Sequence, residues 1–391
     1  RSGSNKDANV SGLDFSLYDK KNTYNIRGFG HYGKVFGPVS YDGYNSSLRL
    51  GKVSGKIQFY AQNTIRSSWY DPNDLGYQET ANQNANSGYV AYKQLTPTKK
   101  FLSYEYSLTA LYQHLYKPGK FNLFQLQARA FWYLKNFWDL SLTAGYLPDQ
   151  HDYYALIPDQ QEYFVAQHLP EKYARRPQYG FLSLVGSTDS RKRLFVNYNF
   201  LVSEFFKNPE KHYYILEGGV RYRFSNKLTL ELSHRHETET DYILFYGTDN
   251  LNRPRIAFVD FKDITSVLSG IYNFTPRINL TLRVRHYWSN VLYKRRAYLD
   301  DKGYPVSPTT FAGQDNINFF NADAFFTWDF RYGSRLILGY KNWLGEDQFV
   351  DGMRYKKYTS NLGQVFDLKH GNEATLRFIY FLDYNQLRKK R

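Results

Sequence analysis

Apolar residues fall at alternate positions through most of this chain, a strand period rather than a helical one. Between 277 and 289 the even positions read Ile278, Leu280, Leu282, Val284 and Trp288, broken only by His286. The odd positions read Asn279, Thr281, Arg283 and Arg285. Likewise Leu102, Tyr104, Tyr106, Leu108 and Ala110 oppose Ser103, Glu105, Ser107 and Thr109, and Phe124, Leu126, Ala128, Ala130 and Trp132 oppose Gln125, Gln127 and Arg129. Clusters of Gly, Asn, Asp, Lys and Pro separate such segments, which number about seventeen. They cover 10–18, 23–34, 43–52, 56–69, 87–95, 101–116, 121–135, 138–147, 179–188, 194–206, 213–224, 228–238, 264–274, 277–289, 318–330, 335–344 and 374–384.

The connections alternate between short and long. Long ones are expected at 70–86, 148–177, 241–261, 294–312 and 350–371, with 241–261 read as a hairpin running past the membrane edge and 360–368 as a short helix or irregular loop. Short turns at one end and long loops at the other are the asymmetry of a membrane barrel, whose short turns are periplasmic. The fold expected is therefore all-β, a transmembrane antiparallel up-and-down β-barrel forming one domain over residues 1–391. By the same parity the first strand descends from outside, and Arg1-Ser2-Gly3-Ser4-Asn5 reads as a loop, so upstream strands are expected to complete the barrel.

Composition sharpens this reading. Aromatics are 19% of the chain, with 38 Tyr and 30 Phe, yet the mean hydropathy is −0.62. A barrel wall that is apolar at every second position and belted with aromatic girdles has that combination, whereas helical spans need about 18 consecutive apolar residues. There is no cysteine, so disulfides and thiolate metal sites are excluded. The net charge of +15 comes from basic residues scattered singly through strands and turns, which suits a basic interior and basic turns beside anionic lipid rather than nucleic acid.

Several segments resemble one family: Asp71-Pro72-Asn73-Asp74-Leu75-Gly76-Tyr77, Arg285-His286-Tyr287-Trp288-Ser289, Asn318-Phe319-Phe320-Asn321-Ala322-Asp323 with Phe326-Thr327-Trp328, and Tyr380-Phe381-Leu382-Asp383-Tyr384-Asn385. In order, they resemble the C-terminal region of the domain of unknown function 5916 family. That resemblance implies an outer-membrane barrel of a Gram-negative envelope, usually preceded by a signal peptide and a module similar to carbohydrate-binding family nine; neither stands in this sequence. It implies no catalytic residues.

Candidate chemistry lies mostly on the polar positions. Arg129, Arg221, Arg223, Arg235, Arg283, Arg285 and Arg377, with Glu105, Glu217, Glu231, Asp323 and Asp329, are expected to face the lumen. They could pair with one another and stiffen the wall, or favour anions in a passage. Asn73, Asp74 and Tyr77 are candidates for a loop constriction. His234 and His236 share a face with Glu237 beside them, and His151 adjoins Asp152; the plainer reading of both is rim residues, and no metal or cofactor is expected. Ser233 and His286 are the nominal serine–histidine pair for a hydrolase, without a supporting motif. Three functions stay open: a channel or transporter for glycan-derived or anionic solutes, a non-conducting accessory subunit, and an outer-membrane hydrolase. Expected partners are outer-membrane lipid, lipopolysaccharide and other outer-membrane proteins docking on the long loops.

Overall fold

A computed structural model describes residues 7–37, 40–72, 80–156, 172–208, 210–251, 253–351 and 357–383, with 348–351 described through their backbone. The chain forms β1 (Asp7–Tyr18), β2 (Tyr24–Phe36), β3 (Tyr41–Lys52), β4 (Ile57–Arg66), β5 (Gln83–Gln94), β6 (Phe101–Leu115), β7 (Phe121–Leu134) and β8 (Asp139–Leu147). Two three-residue strands follow, β9 (Gln150–Asp152) and β10 (Ala174–Arg176), with a 3-10 turn at Tyr154–Leu156. Then come β11 (Tyr179–Ser187), β12 (Leu194–Phe205), β13 (His212–Arg223), β14 (Leu228–Thr248), β15 (Pro254–Thr275), β16 (Ile278–Leu299), β17 (Pro305–Arg331) and β18 (Ser334–Asp351). A short helix α1 (Tyr358–Gln364) and a 3-10 turn (Val365–Asp367) precede β19 (His370–Ile379).

Apart from the β9–β10 ladder, every strand pairs antiparallel with the next, and β8 pairs with β11. The result is one meander of 17 strands, the number the alternation predicts. Because direction reverses at each step, β1 and β19 run the same way; no pairing joins them among the described residues.

Register carries each alternation from strand to strand and gives the sheet two unlike faces. One bears Val220, Leu232, Leu268 and Val284 in a single row, with Tyr222, Leu230, Gly270, Leu282 and Ala324 in the next. Many of its side chains are open to the surroundings, Leu232, Leu268, Leu282, Leu338 and Leu376 among them. Near the short turns it carries aromatic pairs, Tyr222–Phe224, Tyr272–Phe274 and Trp328–Phe330. An apolar band edged by aromatics, on a sheet whose other face is polar, is the wall of a membrane barrel.

Two expectations need correction. The stretch 294–312 is not a charged loop: β16 runs to Leu299 and β17 starts at Pro305, leaving only a tight turn. Its charges interrupt the alternation because the register shifts at Tyr293/Arg295 and again at Arg296/Tyr298, so side chains change face within the strand. They are satisfied locally, Arg295 by both oxygens of Asp241 (3.1 and 2.7 Å) and by the Phe258 ring, Arg296 by the Phe311 ring. The loop expected over 70–86 also ends early, since β5 starts at Gln83. The segment 241–261 forms the upper arms of β14 and β15, bulged at Glu239/Tyr242, where Asp241 takes φ +55°. At 360–368 the chain is helical, α1 and the 3-10 turn that follows it.

Candidate functional site

On the polar face one cross-strand row reads Arg221, Glu231, Ser269, Arg283, Asp323, Lys341 and Glu373, a near-alternation of sign across seven strands. Opposite charges facing each other across a ladder stabilise it modestly. Yet among these only Lys341 and Glu373 approach as an ion pair, at 3.6 Å. Arg283, Glu231 and Asp323 make no ion pair among the described residues; with Thr229, Ser269, Thr281 and the apolar Ile271, Leu282 and Phe325 they line an open recess of about 390 Å³. The recess thus offers a guanidinium, two carboxylates and three hydroxyls beside the apolar surfaces of Ile271, Leu282 and Phe325.

The other predicted residues are mostly tied down. Arg235 bridges Glu217 (2.9 Å) and Glu237 (2.7 Å), and Glu105 accepts from Lys93 (3.1 Å) and the Tyr89 hydroxyl (2.7 Å). Asp329 pairs with Arg335 at 2.6 Å. Arg129 donates to Ser141 Oγ, and Arg285 to Asn321 Oδ1. Arg221 and Arg223 both reach the Ser190 carbonyl, fastening the turn between β11 and β12. Arg377 makes no ion pair among the described residues. Asn73, Asp74 and Tyr77 lie outside the described residues.

At the end of the sheet with the long connections, the segment between β8 and β11 gathers several others. Asp149 holds Arg175 (3.3 Å) and Lys207 (3.6 Å), and Asp152 holds Arg176 (3.1 Å). The Tyr154 hydroxyl donates to the carbonyls of Ala81 and Asn82, just before β5. Two residues on, Leu156 joins Ala174 in an apolar cluster with Ile243, Ile256, Phe258, Ala297 and Leu299 of β14, β15 and β16. The Arg175 amide donates to the Gly303 carbonyl in the β16–β17 turn. Seven strand-to-strand steps separate β5 from β14, about 34 Å along the sheet. Tyr154 and Leu156 can be no more than about 7 Å apart. The sheet must therefore roll until both walls meet this segment. His151 is packing here: it stacks on Tyr173 (4.0 Å) and edges Phe121, and burial, then the Arg175 charge, push its imidazole below the ordinary value. Lys211 is buried, bonded to Glu239 (2.8 Å) and to the carbonyls of Thr240 and Asp241.

The sequence matches the domain of unknown function (DUF5916) over residues 1–391. The chain belongs to this family. No curated protein matches it. Among solved structures it is similar to the siderophore receptor PirA from Acinetobacter baumannii, with 9% identity, 97% of this chain and 71% of that chain covered, and a TM-score of 0.44. A likeness at that level brings neither ligand nor mechanism to this DUF5916 chain.

Two of the segments that carry the family resemblance, 285–289 and 318–323, bring His286, Trp288 and Asn318 together on the apolar face, at its upper edge. Trp288 (1% exposed), Asn318 (2%) and His286 (3%) are buried there beneath α1. Trp288 donates to Asn316 Oδ1 (2.7 Å), His286 Nε2 meets Asn318 Oδ1 (2.9 Å), and Asn318 donates to the Asn361 carbonyl of α1 (2.9 Å). The nominal pair Ser233 and His286 is not a pair: Ser233 shares the row of Val267 and Arg285, on the opposite face from His286. His286 instead lies in the row His234–Ser266–His286. Glu237 is likewise on the other face from His234 and His236, and no group of three potential metal ligands occurs among the described residues. Sequence reasoning missed Ser266 and Tyr358, which join these histidines; Ser266 is an ordinary polar position in its strand, and Tyr358 comes from a distant helix.

Proposed function

We propose that this chain is an outer-membrane β-barrel protein of a Gram-negative envelope, and that its interior is a gated passage for glycan-derived or anionic solutes. In this state the described parts of the β8–β11 connection, 148–156 and 172–178, reach across to both β5 and the β14–β16 tips. The observation that carries the reading is the meeting of β5 and the β14–β16 tips on Tyr154 and Leu156. The segment is anchored by Leu156 and Ala174 in the apolar cluster and by part-exposed ion pairs at Asp149 and Asp152, and the ion pairs are the weaker of the two holds. The recess around Arg283 supports a polar solute: its charges are not spent on one another, and its hydroxyls match a hydroxyl-rich molecule. The apolar band supports the membrane, and lipid and lipopolysaccharide are its natural neighbours.

Conductance in planar bilayers tests this directly. The intact protein is expected to be silent, and a variant with 153–173 replaced by a short Gly-Ser linker to conduct in discrete steps that favour anions. Steps of equal size from both would remove the gate. Silence from both, with assembly verified by heat-modifiable gel mobility, would favour the second reading, a closed accessory subunit whose long loops dock partner proteins.

A further inference from the structure

Beneath α1, Ser266 sits on the apolar face between two hydrogen-bonding neighbours. Its Oγ lies 2.8 Å from His234 Nδ1 and receives the Tyr358 hydroxyl at 2.8 Å. Tyr358 is held in place: its ring lies 4.8 Å from the ring of His286, which is fixed in turn by Asn318, and Asn361 of the same helix is bonded to Asn318. With Tyr358 donating to Ser266, the serine's own proton can point at His234 Nδ1 when that imidazole carries its proton on Nε2. In that tautomer the hydroxyl is directed at an unprotonated imidazole nitrogen, the arrangement that general-base activation of a nucleophile requires. Ser266 is partly exposed, and the next residues down the same face, Leu232, Leu268 and Val284, belong to the apolar band.

We propose that Ser266 and His234 form a nucleophile–base dyad for carboxylic ester hydrolysis, and that its substrate is the acyl ester of a lipid in the adjoining leaflet. Ser266 Oγ attacks the ester carbonyl carbon while its proton passes to His234 Nδ1. Collapse of the adduct breaks the bond to the alcohol oxygen, and the alcohol leaves with the proton from His234. Water then attacks the acyl-serine by the same route, releasing the fatty acid and restoring the hydroxyl. The negative charge of the adduct develops on the former carbonyl oxygen, and the Tyr358 hydroxyl, 2.8 Å from Oγ, is a side-chain donor within reach of it. The choice of a lipid ester over a soluble one rests on the apolar face meeting lipid; the dyad does not.

A fluorophosphonate probe and two substrates separate these claims. The purified protein in detergent is expected to be labelled at Ser266 and to hydrolyse p-nitrophenyl butyrate. Reconstituted in phosphatidylethanolamine vesicles, it is expected to release fatty acid. Ser266→Ala should abolish labelling and both activities, and His234→Ala should lower both by about 10²–10⁴-fold, the usual worth of a general base. Tyr358→Phe keeps the ring that α1 packs with; it should retain heat-modifiable mobility and lose activity. Absence of labelling and of butyrate hydrolysis in assembled protein would overturn the dyad, as would labelling that survives Ser266→Ala. Hydrolysis of butyrate without release from vesicles would overturn the lipid assignment.

Discussion

Leu282 and Arg283 are neighbours in β16 on opposite faces of the sheet, so exchanging their chemistry tests the two-faced wall most directly. Leu282 is 45% exposed and stands beside Gly270 and Ala324, with nothing large to cover it. It lies four residues above Ile278, the first residue of its strand. At about 3.4 Å per residue and a tilt of about 40°, that is roughly 10 Å up an apolar band about 25 Å tall, close to the midplane. An arginine there should cost about 2–4 kcal/mol. At about 1.4 kcal/mol per factor of ten, Leu282→Arg should shift the folding equilibrium in vesicles by about 30- to 700-fold. Arg283 makes no ion pair among the described residues and lies on the polar face, so Arg283→Ala should change stability by less than about 0.5 kcal/mol. Urea unfolding in phospholipid vesicles, followed by tryptophan fluorescence, measures both. Equal losses from the two substitutions, or a tolerated Leu282→Arg, would refute the assignment of faces.

Other expectations concern the covered mouth. For Asp241, burial raises the carboxyl, but hydrogen bonds from Arg295 and Lys294 outweigh it and hold it at about 2, against 3.8 unperturbed. A depressed value contributes stability that is full above the unperturbed value and lost as pH falls through the folded one. Protease protection of the β14–β16 tips should therefore persist to about pH 4 and fade towards pH 2; Asp241→Asn should weaken it already at neutral pH. Gly303 has φ +75°, and a Cβ there would meet the Tyr173 carbonyl at 2.7 Å. Gly303→Ala should cost at least about 1–2 kcal/mol at that turn and speed tryptic cleavage at Arg175 and Arg176. Arg235→Met leaves Glu217 and Glu237 facing each other without their bridge; with all three part-exposed, the stability loss should stay under about 1 kcal/mol, read from the same urea titration.

Alternation made the wall legible because a membrane barrel obeys it on both faces: every strand that kept a strict two-residue period over its span was found, as in 277–289 and 101–116. What escaped was whatever register, rather than local pattern, decides. The upper arms of β16 and β17 were hidden because their bulges move Arg295 and Arg296 between faces, and a charged stretch without a period reads as loop even when Asp241 and the rings of Phe258 and Phe311 satisfy it. The polar-face charges could be assigned to a face but not to partners, since Arg235 finds Glu217 through a neighbouring strand while Arg283, opposite Asp323 in the same ladder, finds none. The serine at 266 was the least visible of all. Its significance depends on His234 in the strand before it and on Tyr358, 92 residues away, and both become its neighbours only when register and a helix laid against the sheet bring them there. His286 was rightly drawn out as unusual on an apolar face, but the serine beside it had to lie in the same cross-strand row, and Ser233 is one position out of phase. In a strand a shift of one residue puts a side chain on the other side of the wall, so a candidate pair in such a protein is credible only once its register is known.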